Sequence, residues 1–175
     1  SLANATPACS GGSCTIASCN AGFYNVDGLT PNGCECPDDS SGASCGAGST
    51  NLGSIGISGT ASWTGKIVPA GGSDWFVVSF PESSATYGGG TPTIDFTLND
   101  GSAFRFDVYD SACGALLACG SGGSSSGLTQ WSFIDNQSPG WYSRGVAWPS
   151  TVYIRVYRVT AGLSCGNYTL HVTRP

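Results

Sequence analysis

The sequence predicts an all-β protein, an antiparallel β-sandwich of the jelly-roll or Greek-key type with a small disulfide-rich module at its N-terminal end. Three observations predict this. Short apolar runs alternate with polar residues at period two, which places every second side chain on one face of a sheet. No window longer than a few residues has helical periodicity, and the 27 glycines disfavour helices further. Six of the nine cysteines fall within the first 45 residues, a clustering that reads as a disulfide framework formed under oxidising conditions.

Residues 1–45 contain almost no periodic apolar pattern, so this stretch cannot bury enough surface to fold without crosslinks. It is expected to be a stapled module, followed by a sandwich domain over residues 46–175. The boundary falls in DDSSGASCGAGS, which has linker composition, although Cys45 offers a way to tie it down. Downstream, Gly, Ser, Asn and Pro clusters punctuate the strands. In SDWFVVSF, Phe76, Val78 and Phe80 share the inward face. In TIDFTLND that set is Ile94, Phe96 and Leu98, and in AFRFDVYD it is Phe104, Phe106 and Val108, with Arg105 and Asp107 turned outward. TVYIRVYRV buries Val152, Ile154 and Val156, and NYTLHVTR buries Tyr168, Leu170 and Val172.

All nine cysteines, Cys9, Cys14, Cys19, Cys34, Cys36, Cys45, Cys113, Cys119 and Cys165, are disulfide candidates. Their spacing lacks the paired two-residue gaps of zinc modules. Cys113 and Cys119, five residues apart at the end of a strand, suit a local closure. The count is odd. If Cys45 belongs to the N-terminal module, Cys165 is the remainder and a potential intermolecular crosslink. The alternative pairs Cys165 with Cys45 and leaves the odd thiol in the module.

Only Lys66, Arg105, Arg144, Arg155, Arg158 and Arg174 are basic, too few and too scattered for a nucleic-acid footprint. The net charge of −5 comes mostly from aspartates in turn-like sequence, which favours solubility or cation contacts. Asp27, Asp38 and Asp39 are the better candidates for a hard cation, and calcium is the ion such oxygens take; no EF-hand spacing is present and no other cofactor is expected. Asp95, Asp100, Asp107 and Asp110 are expected to cap turns rather than to form a hydrolytic carboxylate pair. His171, the one histidine, faces solvent by the strand alternation, and nothing near it in the sequence supplies the partners of a nucleophilic triad. Trp75 and Trp131 are expected in the core. The stretch PGWYSRGVAWPS sets Trp141, Tyr142 and Trp148 beside prolines and glycines, where rings can stack on a sugar or a partner's proline.

The stretches GTASWTGKIVPAGGSDWFVVSF, IDFTLNDGSAFRFDVYDSACGALLACGSG, TVYIRVYRV and CGNYTLHV together resemble the bacterial pre-peptidase C-terminal domain, over roughly residues 46–175. The resemblance implies a β-sandwich attached to exported proteins, often proteases. The N-terminal stretch CSGGSCTIASCNAGFYNVDGLTPNGCECPDDSSGASC is similar to a cysteine-rich, EGF-like repeat of exported bacterial proteins, through Cys34-Glu35-Cys36 and the eight-residue gap to Cys45. That likeness implies the pairing Cys9 with Cys19, Cys14 with Cys34, and Cys36 with Cys45.

A non-catalytic, secreted or cell-surface protein is therefore expected, processed from a precursor, since the sequence lacks methionine throughout. The first functional expectation is a structural subunit of an extracellular fibre, appendage or surface layer, whose partners are other copies or surface proteins. The others are a carbohydrate- or matrix-binding module, and an appendage of an exported hydrolase. No apolar run approaches membrane-spanning length.

Overall fold

Strands whose apolar residues recur at every second position can bury one face only by stacking two sheets, and the chain does so. The computed structural model describes residues 2–39, 41–81, 92–110, 114–117, 125–132 and 151–175. The N-terminal part holds four short strands: β1 (Ala5–Ser10), β2 (Ser13–Cys19), β3 (Phe23–Tyr24) and β4 (Cys36–Pro37). They form two separate two-stranded antiparallel ribbons, β1-β2 and β3-β4. The sandwich follows with β5 (Thr50–Ser54), β6 (Gly59–Gly65), β7 (Ser73–Ser79), β8 (Thr93–Asn99), β9 (Phe104–Tyr109), β10 (Gln130–Ser132), β11 (Thr151–Arg158) and β12 (Tyr168–Arg174).

One sheet has the order β10-β8-β12-β6 and the other β5-β7-β11-β9, so successive strands alternate between the sheets, as in a jelly roll. Among the described residues all ladders of the sandwich are antiparallel except β5 with β7. That pair is parallel because β6 carries the chain to the opposite sheet and back, so β5 and β7 run the same way.

The core between the sheets contains Phe76, Val78, Phe80, Ile94, Phe104, Phe106, Val108, Trp131, Val152, Ile154, Val156, Tyr168, Leu170 and Val172. Burying each large apolar side chain contributes roughly 1.5–3 kcal/mol. Tyr168 is the hub of the aromatic packing, with Phe104, Phe96 and Phe76 around it at centroid distances of 5.1, 5.9 and 6.5 Å.

Two expected placements are corrected, and a third holds in orientation but not in exposure. Leu98 is 40% exposed rather than buried. Phe96 stands opposite Leu170 and Leu98 opposite Thr169, so Thr97 is an extra residue on β8. Such a bulge inverts the alternation beyond it. Trp75 is not core: Phe76 and Val78 take the inner face of β7, and Trp75 is half-buried on the outer face against Tyr109, 5.2 Å between centroids. Asp107 does lie on the outer face of β9 but is only 6% exposed. Its carboxylate accepts from Ser126 Oγ (2.9 Å), the Gly127 amide (2.8 Å) and the hydroxyls of Tyr109 and Tyr157 (both 3.3 Å).

Among the described residues no helix is long and apolar enough to cross a membrane.

Candidate functional site

Among the described residues the most exposed strands are those of the β1-β2 hairpin. Its turn is Ser10-Gly11-Gly12-Ser13, with Gly11 at φ 60° and Gly12 at φ 82°. A two-residue loop with both φ values positive suits the right-handed twist of a hairpin and calls for glycine. Cys9 and Cys14 face each other across this turn and are bonded, with Cα atoms 4.0 Å apart. Almost every hairpin residue is exposed, on both faces. The first charged residue of the chain is Asp27, so the whole arm is uncharged.

Two further bridges complete the framework: Cys19–Cys34 and Cys36–Cys165. The EGF-like pairing of Cys9 with Cys19, Cys14 with Cys34 and Cys36 with Cys45 is overturned. Direct cross-strand opposition in the tight hairpin takes Cys9 to Cys14, which frees Cys19 for Cys34. Cys165 is neither the unpaired thiol nor the partner of Cys45, because β4 is brought beside the turn that precedes β12. Cys45 is also disulfide-bonded, so all seven described cysteines are oxidised. Cys113 and Cys119 lie outside the described residues.

At the base of the arm, Gly33 adopts φ +78°, and a Cβ there would sit 2.0 Å from the Ala3 carbonyl oxygen. Glycine lets the two backbones touch, so that the Cys34 amide donates to Ala3 O at 2.9 Å. The following segment is fastened to the sandwich edge. Asp39 accepts the Lys66 amide at 2.5 Å, Ser41 Oγ accepts the Trp63 indole at 2.8 Å, and the Trp75 amide donates to Gly42 O at 2.7 Å. The stretch expected to be a linker is thus built into the edge of both sheets.

Beneath this seam lies an acidic group. Asp74, 7% exposed, accepts the Tyr168 hydroxyl at 2.5 Å. Burial pushes its carboxyl up to about 7, and the charges of Asp39 and Asp38 add to this, against the Tyr168 hydrogen bond. Burial likewise raises Asp38, with Asp39 beside it, and raises the Tyr168 phenol, with Asp74 beside it. Asp38 and Asp39 do not gather with Asp27 around a cation. Asp27 is occupied in its own loop, accepting from the Leu29 amide and Asn32 Nδ2, both at 2.8 Å. Among the described residues no cluster of three or more His, Cys, Asp or Glu side chains is arranged to hold a metal ion.

His171 has partners that its sequence neighbours do not supply. On the outer face of β6-β12-β8, Nδ1 is 3.0 Å from Asp95 Oδ1 and Nε2 is 2.9 Å from Thr60 Oγ1. Carboxylate, imidazole and hydroxyl are therefore in the order of a nucleophilic triad. The Thr60 hydroxyl also lies 3.2 Å from Val172 O. It has a single proton, so it donates either to the imidazole or to that carbonyl. In the second case Nε2–H donates to Thr60. Backbone N–H groups paired in the ladders lie in the plane of the sheet rather than on this face. The chain of three ties adjacent strands together. Asp95 is thus a cross-strand partner, whereas Asp100 does the turn work expected of it, accepting the Asn167 amide at 2.8 Å.

Trp141, Tyr142 and Trp148 lie outside the described residues. The aromatic surface that is described is one the sequence reading missed: Trp75, Tyr109, Tyr153 and Tyr157 on the outer face of β7-β11-β9, with Arg155 5.2 Å over the Tyr157 ring. Its signal was the opposite parity of the same strands, the side chains left over once the core set is assigned.

No protein family, curated protein or solved structure matches this chain.

Proposed function

We propose that this chain is a secreted, non-catalytic structural subunit that assembles outside the cytoplasm, in a fibre, appendage or surface layer. The observation that carries the reading is the uncharged β1-β2 arm, exposed on both faces and stapled at its tip by Cys9–Cys14. A two-stranded ribbon has little stability of its own, and monomeric proteins usually guard such edges with charges. Pro7 on β1 and the extra residue Ala17 on β2 guard only part of it. The oxidised cysteines support an extracellular setting. Assembly does not depend on Cys165 as a crosslink, since that sulfur is bonded to Cys36.

Sedimentation velocity and electron microscopy of the purified, oxidised chain test this reading. Species larger than a monomer that grow with concentration are expected. A monomer at every concentration contradicts it.

The aromatic face around Trp75 and Arg155 favours a second reading, a carbohydrate-binding module, because ring faces beside planar polar groups suit sugars. Retention on an immobilised polysaccharide that is lost in Trp75→Ala would support it.

A further inference from the structure

The two edges of the β1-β2 ribbon are not equivalent. The two-residue loop makes Ser10 and Ser13 a hydrogen-bonded pair. Alternation then makes Cys9 and Cys14 a non-hydrogen-bonded pair, in agreement with Cα atoms only 4.0 Å apart. The next pair of that kind is Pro7 with Ile16. The backbone N–H and C=O groups of Cys14 and Ile16 therefore point away from β1, to the outer edge of β2. On β1 the matching outward positions are Cys9 and Pro7, and proline has no N–H to offer. The base of that edge is occupied as well, since the Cys34 amide donates to Ala3 O at 2.9 Å. The edge of β2 is open up to its bulge at Ala17: Ser13, Cys14 and Thr15 are exposed, Ile16 is half-buried, and among the described residues no strand pairs with its far side.

These two outward positions select both the partner and the register. An antiparallel neighbour bonds outward groups to outward groups, so a second copy of β2 fits with Cys14 opposite Ile16 and Ile16 opposite Cys14. Thr15 then lies opposite itself. Each pairing is a favourable one. Threonine opposite threonine is a stabilising cross-strand pair. On the other face, Pro7, Cys9, Cys14 and Ile16 share one side of the ribbon, and Ile16 of each copy meets the Cys9–Cys14 bridge of the other. Two narrow apolar stripes become one wider face. No charged side chain precedes Asp27, so identical ribbons meet there without like-charge repulsion. The Thr15 hydroxyl is already held on its own ribbon, donating to Ala8 O at 3.3 Å. A two-stranded ribbon is marginal in water, and three or more strands with an apolar face are what stabilise such a sheet.

We infer that the outer edge of β2 is a self-complementary docking edge: two copies of this chain join antiparallel, Thr15 against Thr15 on a two-fold axis, in a four-stranded sheet ordered β1-β2-β2-β1. A two-fold contact of this kind uses the same patch on both partners and closes on itself. The sandwiches stay outside it. The inference rests on the assembly reading above and assigns one of its contacts.

Charge substitution tests the contact. Thr15→Lys places two ammonium groups face to face, and in sedimentation velocity it should weaken association by up to about fivefold. Mixing Thr15→Lys with Thr15→Glu should restore it, since the opposed charges then attract. Ala8→Lys, one strand further from the axis, should associate as the unsubstituted chain does. Circular dichroism and a retained Cys9–Cys14 bridge show that each variant is folded. Thr15→Cys reads the register: directly opposite Cα atoms of a non-hydrogen-bonded pair lie about 4.5 Å apart, within the range a disulfide spans. A covalent dimer is expected under non-reducing electrophoresis, with a linked peptide containing residue 15 twice. If the unsubstituted chain assembles and Thr15→Lys assembles equally well, the docking edge is wrong and the assembly reading stands. If the unsubstituted chain is monomeric throughout, both fall.

Discussion

Between Ala5 and Pro37 the apolar side chains fully buried are Cys34 and Cys36 alone, whereas β5 to β12 close over a continuous cluster from Ile55 to Val172. The two regions are held by different physics. In the sandwich, removal of apolar surface from water dominates, and the ladders fix which faces meet. In the N-terminal region the framework is covalent. In the chain-entropy description, closing the 15-residue loop of Cys19–Cys34 contributes about 3 kcal/mol, and the 129-residue loop of Cys36–Cys165 about 5 kcal/mol. The difference teaches where tolerance lies: the sandwich is sensitive to side-chain volume, and the arm to redox state.

The comparison can be broken most forcefully in the core. Phe106, fully buried and packed edge-on against Phe96 at 5.3 Å, should cost about 3–5 kcal/mol when replaced by alanine. Urea denaturation checks this. A smaller loss would mean that the sandwich does not depend on its core as described.

Asp74 sharpens the picture at the seam between the regions. In the folded chain its pKa is about 7, against an ordinary carboxyl value of 3.8. Between these values the folded state binds more protons than the unfolded one, so stability must fall as pH rises. The contribution is fully present below the lower value and lost as pH passes through about 7, with a ceiling on the order of 4 kcal/mol. Asp74→Asn, which keeps an oxygen for Tyr168, should flatten the dependence between about pH 4 and about pH 8 in denaturation midpoints. An unchanged slope would place the titration elsewhere.

The smallest effect is expected in the arm. Ile16 on β2 is only half-buried, and Ile16→Ala should change stability by less than about 1 kcal/mol by the same denaturation assay. A loss comparable to that at Phe106 would show that the arm has a core after all.

The sandwich was legible because period two is a strong signal wherever one face is buried, as Phe104, Phe106 and Val108 or Val152, Ile154 and Val156 show. It failed at Leu98, where the bulge at Thr97 leaves no compositional mark. The hairpin was legible in principle from Ser10-Gly11-Gly12-Ser13, but without apolar alternation its flanks do not announce strands. Disulfide pairing was not legible, since six cysteines allow fifteen connectivities and a 129-residue separation such as that of Cys36 and Cys165 has no local signature. The partners of His171 were hidden for the same reason: Asp95 and Thr60 reach it only across β8 and β6.

Hydrogen exchange followed by mass spectrometry, on the oxidised and the fully reduced chain, tests the division between the two regions most directly. After reduction, peptides spanning residues 5–37 should lose their protection, while those from β7, β9, β11 and β12 retain most of theirs. Retained protection across residues 5–37, or loss in both regions together, would contradict a crosslinked module beside a core-held sandwich.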